Sequence, residues 1–378
     1  MRRTGRRRPP GCERYFSCGF LPSIGNEGRT NADHWRPNRY CSDVAGFAWS
    51  PCQSLKYSQH ANHTHDTHFE TNRRRSSMTT PTVAFLGIGL MGKPMAARLA
   101  QAGVALRAWN RSPAKAEALR AAGAVPQAHL ADAVAGADIV ISMLEAGPVV
   151  AAVLEAALPH LAPGTLWIDM SSTRQDEALA CAARLAAHGC RFVDAPVSGG
   201  VVGAEQGTLA IMAGGSVEDV ARAEPVLRVL GTPTRVGEAG SGQVAKLCNQ
   251  LIVGATLNVV AEALLLAQAA GADPAAVREA IRGGFAGSRI LDLHGQRMLD
   301  RNFIPGGQVK TQLKDQGNIL AAAQAAGLTL PVTALVTRQY ESIVDALPAA
   351  DHAAALIALE RMNPGKRLGT KPDALPPT

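Results

Sequence analysis

Between residues 82 and 170, short apolar runs alternate with Ala-rich stretches of helical length. The runs are TVAFLG (82–87), VALRAW (104–109), DIVISML (138–144) and TLWIDM (165–170). Between them lie MGKPMAARLAQAG, SPAKAEALRAAG and VVAAVLEAALPHL. Strand–helix–strand alternation predicts βαβ units, hence a mostly parallel sheet with helices on both faces. Further strand-like runs fall at 191–195, 208–213 and 233–236. Beyond about residue 240 the strand pattern stops, and helices are predicted over 242–270, 274–282, 310–326, 331–346 and 351–362. Ser-Gly at 241–242 and Gly-Ala-Asp-Pro at 271–274 punctuate them. The expected architecture is an α/β domain over 79–240 and an all-α domain over 241–370, joined by a long helix beginning near Gly242. A short tail, 371–378, is expected to follow.

The first 77 residues break this pattern. They open MRRTGRRRPP, close TNRRRSS and show neither a 3.6-residue nor a 2-residue apolar period. A disordered basic extension is expected over 1–78. It changes the reading of charge. The whole chain carries a formal +7, but residues 1–77 hold 13 Lys+Arg and 6 Asp+Glu, leaving 25 of each for the remainder. The basicity that would point to nucleic acid or a membrane surface therefore belongs to the extension alone. No apolar segment follows the opening arginines, which excludes a secretory signal; the Arg-rich start fits a transit peptide, but the six acidic residues argue against one. Met78 stands directly before the first patterned segment, and translation is expected to start there. Five histidines of the extension (His34, His60, His63, His65, His68) could ligate a metal, yet no paired Cys motif or framework orients them. No metal is expected.

Composition adds little further. Aromatic residues are only 4 %, too few for stacking on nucleic-acid bases. The body has three cysteines, Cys181, Cys190 and Cys248, with no CxxC pair, which fits a reduced, cytoplasmic protein. The apolar stretch 251–272 is long enough to span a bilayer, but Asn258, Glu262 and Gln268 interrupt it, and a buried helix is the expected reading.

The candidate chemistry starts at the end of the first predicted strand, in Gly87-Ile88-Gly89-Leu90-Met91-Gly92. This is G-x-G-x-x-G with a strand before it and a helix after it, the context a dinucleotide turn of a Rossmann-type domain requires. Gly87 allows the tight turn, Gly89 the close approach of a pyrophosphate, and Gly92 close helix–strand packing. The second strand ends in Asn110-Arg111-Ser112, where an NAD site would carry an acidic residue for the ribose 2′-hydroxyl. A guanidinium there attracts a 2′-phosphate, so NADP(H) is favoured, with NAD(H) possible; an exposed turn arginine is the competing reading.

Two further segments stand out. Asp194-Ala195-Pro196-Val197-Ser198-Gly199-Gly200 ends a strand with a hydroxyl and bare backbone amides, a cradle for a small carboxylate or else an ordinary loop. Gly240-Ser241-Gly242-Gln243-Val244-Ala245-Lys246-Leu247-Cys248-Asn249-Gln250 enters the long helix and places Asn249 and Gln250 on the face of Lys246. A lysine on a buried helix face has its pKa lowered toward the range a general acid needs; a solvated lysine near a helix start is the alternative.

The segments FLGIGLMGKPMA, DAPVSGG, GSGQVAKLCNQ and QLKDQGN, in this order, resemble the β-hydroxyacid dehydrogenase family, which includes 3-hydroxyisobutyrate dehydrogenases and tartronate semialdehyde (2-hydroxy-3-oxopropionate) reductases. The resemblance covers nearly all of 81–365 and none of the extension. It implies that Lys246 is the catalytic lysine and that Ser198, Gly199 and Gly200 receive the substrate carboxylate, with Asn249 and Gln250 on the substrate. It implies that Gly87, Gly89 and Gly92 receive the pyrophosphate, and that Met143, Leu144, Ser172 and Lys314 reach the cofactor. Two departures matter. Where the hydroxyisobutyrate enzymes usually have two asparagines after the lysine, this chain has Asn249-Gln250, and Gln316 replaces the usual Leu after Lys-Asp. The Asn-Gln form, and IRGGFAGSRILDLHGQRMLDRNFIPG (281–306), resemble the tartronate semialdehyde reductases.

The expected function is reduction of a small semialdehyde acid to the hydroxyacid by a homodimer or homotetramer, with no nucleic-acid or membrane partner. Within the class, 3-hydroxyisobutyrate, glyoxylate and succinic semialdehyde are competing substrates. Outside it, the rival is a non-catalytic dinucleotide-binding module with the basic extension as a nucleic-acid-binding tail.

Overall fold

The computed structural model describes residues 81–377; the expectations for the extension, its histidines and the start at Met78 lie outside the described residues. The strands and helices of the first part alternate as β1 (Thr82–Leu86), α1 (Gly92–Gln101), β2 (Ala105–Trp109), α2 (Pro113–Glu117), β3 (Val125–Gln127), α3 (Leu130–Val134), β4 (Ile139–Ser142), α4 (Gly147–Ala157), β5 (Leu166–Asp169), α5 (Gln175–Ala187) and β6 (Arg191–Asp194). There follow β7 (Val197–Ser198), α6 (Gly200–Gln206), β8 (Leu209–Gly214), α7 (Val217–Leu230) and β9 (Gly231–Gly237). The sheet order is β3-β2-β1-β4-β5-β6-β8-β7, with β9 on β8. Every pair from β3 to β6 is parallel, whereas β8 runs antiparallel to β6 and β7. The Rossmann-type, mostly parallel sheet expected from the alternation is thus present.

The central strands β1, β4 and β5 are almost wholly buried because both faces are covered. Val83, Phe85, Ile139, Ile141 and Ile168 pack into one core, while Ala84, Leu86, Val140 and Trp167 pack into another. Successive strand side chains point to opposite faces, so these alternating sets are the two sides of one sheet. Strand β3 was not predicted. It is three residues long, contains Pro126, and sits at the sheet edge, where a missing N–H is tolerated.

Helix α8 (Ser241–Ala269) leads into α9 (Pro274–Arg282), α10 (Arg289–Asp300), α11 (Val309–Ala325), α12 (Pro331–Val344) and α13 (Ala355–Met362). Their core joins Leu257, Leu264, Leu291, Phe303, Val336, Tyr340 and Leu356. Helix α10 was also unpredicted as an element, although Ser288 caps it by accepting the Leu291 N–H at 3.0 Å. Residues 371–374 dock rather than trail: Lys371 pairs with Asp300 at 2.7 Å, Asp373 with Arg301, and Ala374 bridges to Asn302.

Helix α8 is the one described helix long and apolar enough to cross a membrane by length and composition. Here it is the post of the helical domain, packed against α9 to α13 and against β6 to β8. Its start is fastened to the sheet by Asp194, whose carboxylate accepts the N–H groups of Gly240 (2.7 Å) and Gln243 (2.8 Å). An anion at a helix N-terminus satisfies donors that have no partner within the helix.

Candidate active site

The glycine turn lies where the sheet order reverses direction, between β1 and β4, which is where an open α/β sheet leaves a crevice at its carboxyl edge. A methyl group on Gly87, which has φ +104°, would stand 2.3 Å from the Met143 carbonyl oxygen, and one on Gly92 would stand 1.9 Å from the Gly87 carbonyl oxygen. These two glycines are required by the protein's own backbone. Gly89 differs: nothing lies within 4 Å of where its Cβ would be. That open space over backbone amides fits a pyrophosphate. Leu90 and Met91 complete the turn, Leu90 exposed and Met91 packed against the core.

Asn110, at the end of β2, braces the glycine turn. Its Oδ1 accepts the Ile88 N–H at 2.9 Å and its Nδ2 donates to the Ser112 carbonyl at 3.2 Å. It ties the glycine turn to the following strand end. Arg111 beside it is exposed and makes no hydrogen bond or ion pair among the described residues, so its guanidinium is available to a phosphate. Ser112 precedes α2 without capping it through its side chain.

The ends of β4 and β5 are joined by a buried polar cluster. Ser142 Oγ donates to Asp169 Oδ1 at 2.8 Å and accepts from Trp167 Nε1 at 2.9 Å. Ser171 Oγ accepts the Leu144 N–H at 2.9 Å. Burial pushes the Asp169 carboxyl up to about 6, opposed by its bonds to Ser171 and Ser142. Gln243, fully buried on α8, donates from Nε2 to the Ser171 carbonyl (2.8 Å) and accepts the Thr173 N–H (3.0 Å). The segment carrying Ser172 is therefore held on α8 one helical turn before Lys246.

Lys246 is 8 % exposed and donates from Nζ to Gln250 Oε1 at 2.8 Å. Asn249 Nδ2 donates to the same oxygen at 2.8 Å, and Gln250 Nε2 donates to Asp315 Oδ2 of α11 at 2.6 Å. Burial pushes the Lys246 amine down to about 8; Asp315 acts against this and Lys314 with it. The three residues expected to share a face do so, and Asp315 orients them. Lys314, next in the chain, donates to the carbonyls of Ser172 (2.7 Å) and Glu145 (3.4 Å), while Lys310 pairs with Glu145 at 3.2 Å. Helix α11 thereby closes over the loops after β4 and β5. A continuous set of contacts runs from the glycine turn, through Met143, Leu144 and Ser171, to Gln243 and Lys246. Ser198, on β7, belongs to an element that packs directly on α8, and Gly199 and Gly200 follow it with φ +139° and +63°.

Two surface cavities, of about 240 and 400 Å³, lie between α4 and α5 and beside α10 and the C-terminal segment. Neither touches the Lys246 cluster, which its chemistry marks out rather than its concavity. Asp315 and Gln243 were not singled out from sequence. Gln243 lies three residues before Lys246 and so shares its face, a signal that was there to use; Asp315 meets Gln250 only through the packing of two helices.

A glycine turn at a sheet reversal, with a buried, hydrogen-bonded lysine on the helix that packs against the sheet, fits a dinucleotide-binding oxidoreductase. Residues 82–245 match the NAD-binding domain of 6-phosphogluconate dehydrogenase, and residues 240–359 match the NAD-binding domain of NADP-dependent 3-hydroxyisobutyrate dehydrogenase. The chain is 39 % identical over 285 residues to the 2-hydroxy-3-oxopropionate reductase of Escherichia coli (strain K12), covering 74 % of this chain and 97 % of that protein. It is 38 % identical over 264 residues to a 3-hydroxyisobutyrate dehydrogenase of Pseudomonas aeruginosa, covering 67 % and 89 %. Among solved structures, the 3-hydroxyisobutyrate dehydrogenase of Mycobacterium tuberculosis with L-serine superposes with a TM-score of 0.68 at 32 % identity, covering 74 % of this chain and 99 % of that one. The protein belongs to the β-hydroxyacid dehydrogenase family.

Proposed function

We propose that this chain reduces a small semialdehyde acid, tartronate semialdehyde (2-hydroxy-3-oxopropionate), to the hydroxyacid glycerate with NADPH, using Lys246 as the general acid. The observation that supports this is the Lys246–Gln250–Asp315 chain of hydrogen bonds, which holds a buried ammonium in one orientation. When bound, the dinucleotide supplies a hydride to the carbonyl carbon. The chain's own residues do the rest. The amides and hydroxyl of Ser198, Gly199 and Gly200 receive the substrate carboxylate. Asn249 and Gln250 hold substrate and lysine in register. Lys246, with its amine near 8, is mostly protonated at neutral pH and gives its proton to the carbonyl oxygen as negative charge develops there. Arg111 supports NADPH over NADH.

Tartronate semialdehyde is favoured over 3-hydroxyisobutyrate by the Asn249-Gln250 pair and the 281–306 segment, and the E. coli relative named for this substrate is matched over 97 % of its length. The test is a panel of tartronate semialdehyde, glyoxylate, succinic semialdehyde and 3-hydroxyisobutyrate with both reduced or oxidised cofactors. The highest kcat/KM is expected for tartronate semialdehyde with NADPH; a tenfold preference for another acid replaces the assignment.

The enzyme is further proposed to be a cytoplasmic homo-oligomer. Ile252, Val259 and Leu266 recur every seven residues on α8 and are 60 to 69 % exposed, an apolar stripe suited to a second copy of the chain. A monomer in sedimentation at micromolar concentration would refute it.

A further inference from the structure

His294 of α10 and His352, just before α13, are 58 residues apart in sequence and meet with their Nε2 atoms 3.3 Å apart. Each ring has an acceptor oxygen near its other nitrogen, hydrogen-bonded only in the case of His352. His352 Nδ1 lies 3.4 Å from Gln312 Oε1, and the Gln312 amide is oriented by its Nε2 donating to the Gln250 carbonyl at 3.4 Å. His294 Nδ1 lies 3.3 Å from Asp351 Oδ1, in ion-pair range but off the angle of a hydrogen bond. Asp351 is itself anchored, accepting the N–H groups of Gly306 (2.8 Å), Gly307 (3.2 Å) and Ala353 (3.0 Å).

Proton placement then has a consequence. Neutral imidazole carries one N–H. If each Nδ1 holds the proton, as the carboxylate and the amide oxygen favour, both Nε2 atoms present lone pairs to each other. The ring centroids are 4.6 Å apart and the planes meet at 73°; with one proton moved to an Nε2 the same 3.3 Å contact is an N–H···N hydrogen bond. In the tautomer with both protons on Nδ1, the two Nε2 lone pairs converge on a space that a cation can fill. Two imidazoles bound to one tetrahedral ion through bonds of about 2.0–2.1 Å stand about 3.3 Å apart. An acceptor behind each ligating ring is the usual outer support of such ions.

We propose that His294 and His352 bind a divalent transition cation of the zinc type through their Nε2 atoms, with Asp351 and Gln312 fixing the rings from behind. The ligand atoms that His294, His352 and Asp351 can offer all lie within 4.8 Å of one another. Nothing in the primary structure signals this site, because its ligands share no spacing motif.

The experiment is titration of the full-length, tag-free, chelator-treated chain with Zn²⁺ by calorimetry, with Co²⁺ absorption as a second probe. Three variants accompany it: His294→Gln, His352→Gln, and one in which His34, His60, His63, His65 and His68 are all Ala. We expect one equivalent of Zn²⁺ that survives in the five-histidine variant and weakens at least ~10-fold in each of the other two. No binding to the wild type, binding unchanged in both glutamine variants, or loss of all binding with the extension histidines overturns the proposal. Should a glutamine variant fail to fold, the wild type decides. Zn²⁺ is expected to protect both rings from diethyl pyrocarbonate, mapped by mass spectrometry, and equal modification with and without Zn²⁺ is the contrary result.

Discussion

Replacing Lys246 by Met should make the protein more stable while abolishing its chemistry. The ammonium is buried, and burial lowers its pKa from 10.5 to about 8. The folded pKa lies below the unfolded one, so the folded state is penalised wherever both forms would otherwise be protonated. At pH 7 the penalty is about 3 kcal/mol, from 1.36 kcal/mol per pKa unit. Loss of the bond to Gln250 returns roughly 1 kcal/mol, although Gln250 Oε1 keeps its bond from Asn249. Lys246→Met should therefore gain about 2 kcal/mol at pH 7. The penalty fades as pH rises from about 8 to 10.5, the span between the folded and unfolded pKa, so the gain should have disappeared by pH 10. Urea unfolding of wild type and variant at both pH values measures this. A variant less stable than wild type at pH 7, or a difference independent of pH, would show that the lysine is not held as a desolvated cation.

The remaining predictions concern the cofactor and the proton. Arg111→Asp should weaken NADPH by roughly 10- to 100-fold, the worth of a charge-assisted contact, and leave NADH nearly unchanged; fluorescence titration with each cofactor shows it, and equal losses would remove Arg111 from the phosphate site. Gly89→Ala should leave the melting temperature within a few degrees of wild type but weaken cofactor binding at least ~10-fold, whereas Gly92→Ala, whose methyl meets the Gly87 carbonyl, should destabilise the fold by more than about 2 kcal/mol. The rate of reduction should fall as pH rises through about 8 and the rate of oxidation should rise over the same range, because Lys246 must be protonated for one and neutral for the other. A flat profile in both directions would dissociate the lysine from the proton transfer.

What could be read from the chain, and what could not, divides along contact distance. The alternation from Thr82 to Asp169 determines a parallel sheet because local apolar runs specify burial on both faces. Lys246 and Gln250 are one helical turn apart, so their partnership follows from helical geometry alone. Asp315, 65 residues from Gln250, enters only when α11 packs on α8. The same holds for the clasp of Lys314 over the Ser172 carbonyl and for the meeting of His294 with His352. Asn110 shows the converse limit: its position at the β2 end was legible, but whether its amide turns toward a ligand or toward the Ile88 N–H depends on the loop across from it.

The central claim is that Lys246 delivers the proton to a substrate held beside the bound cofactor. The direct measurement is single-turnover reduction of tartronate semialdehyde by Lys246→Ala, with NADPH affinity determined on the same preparation. The account predicts a fall in the rate on the order of 10²–10⁴ with cofactor affinity unchanged. A near-normal rate in the presence of bound NADPH would contradict it.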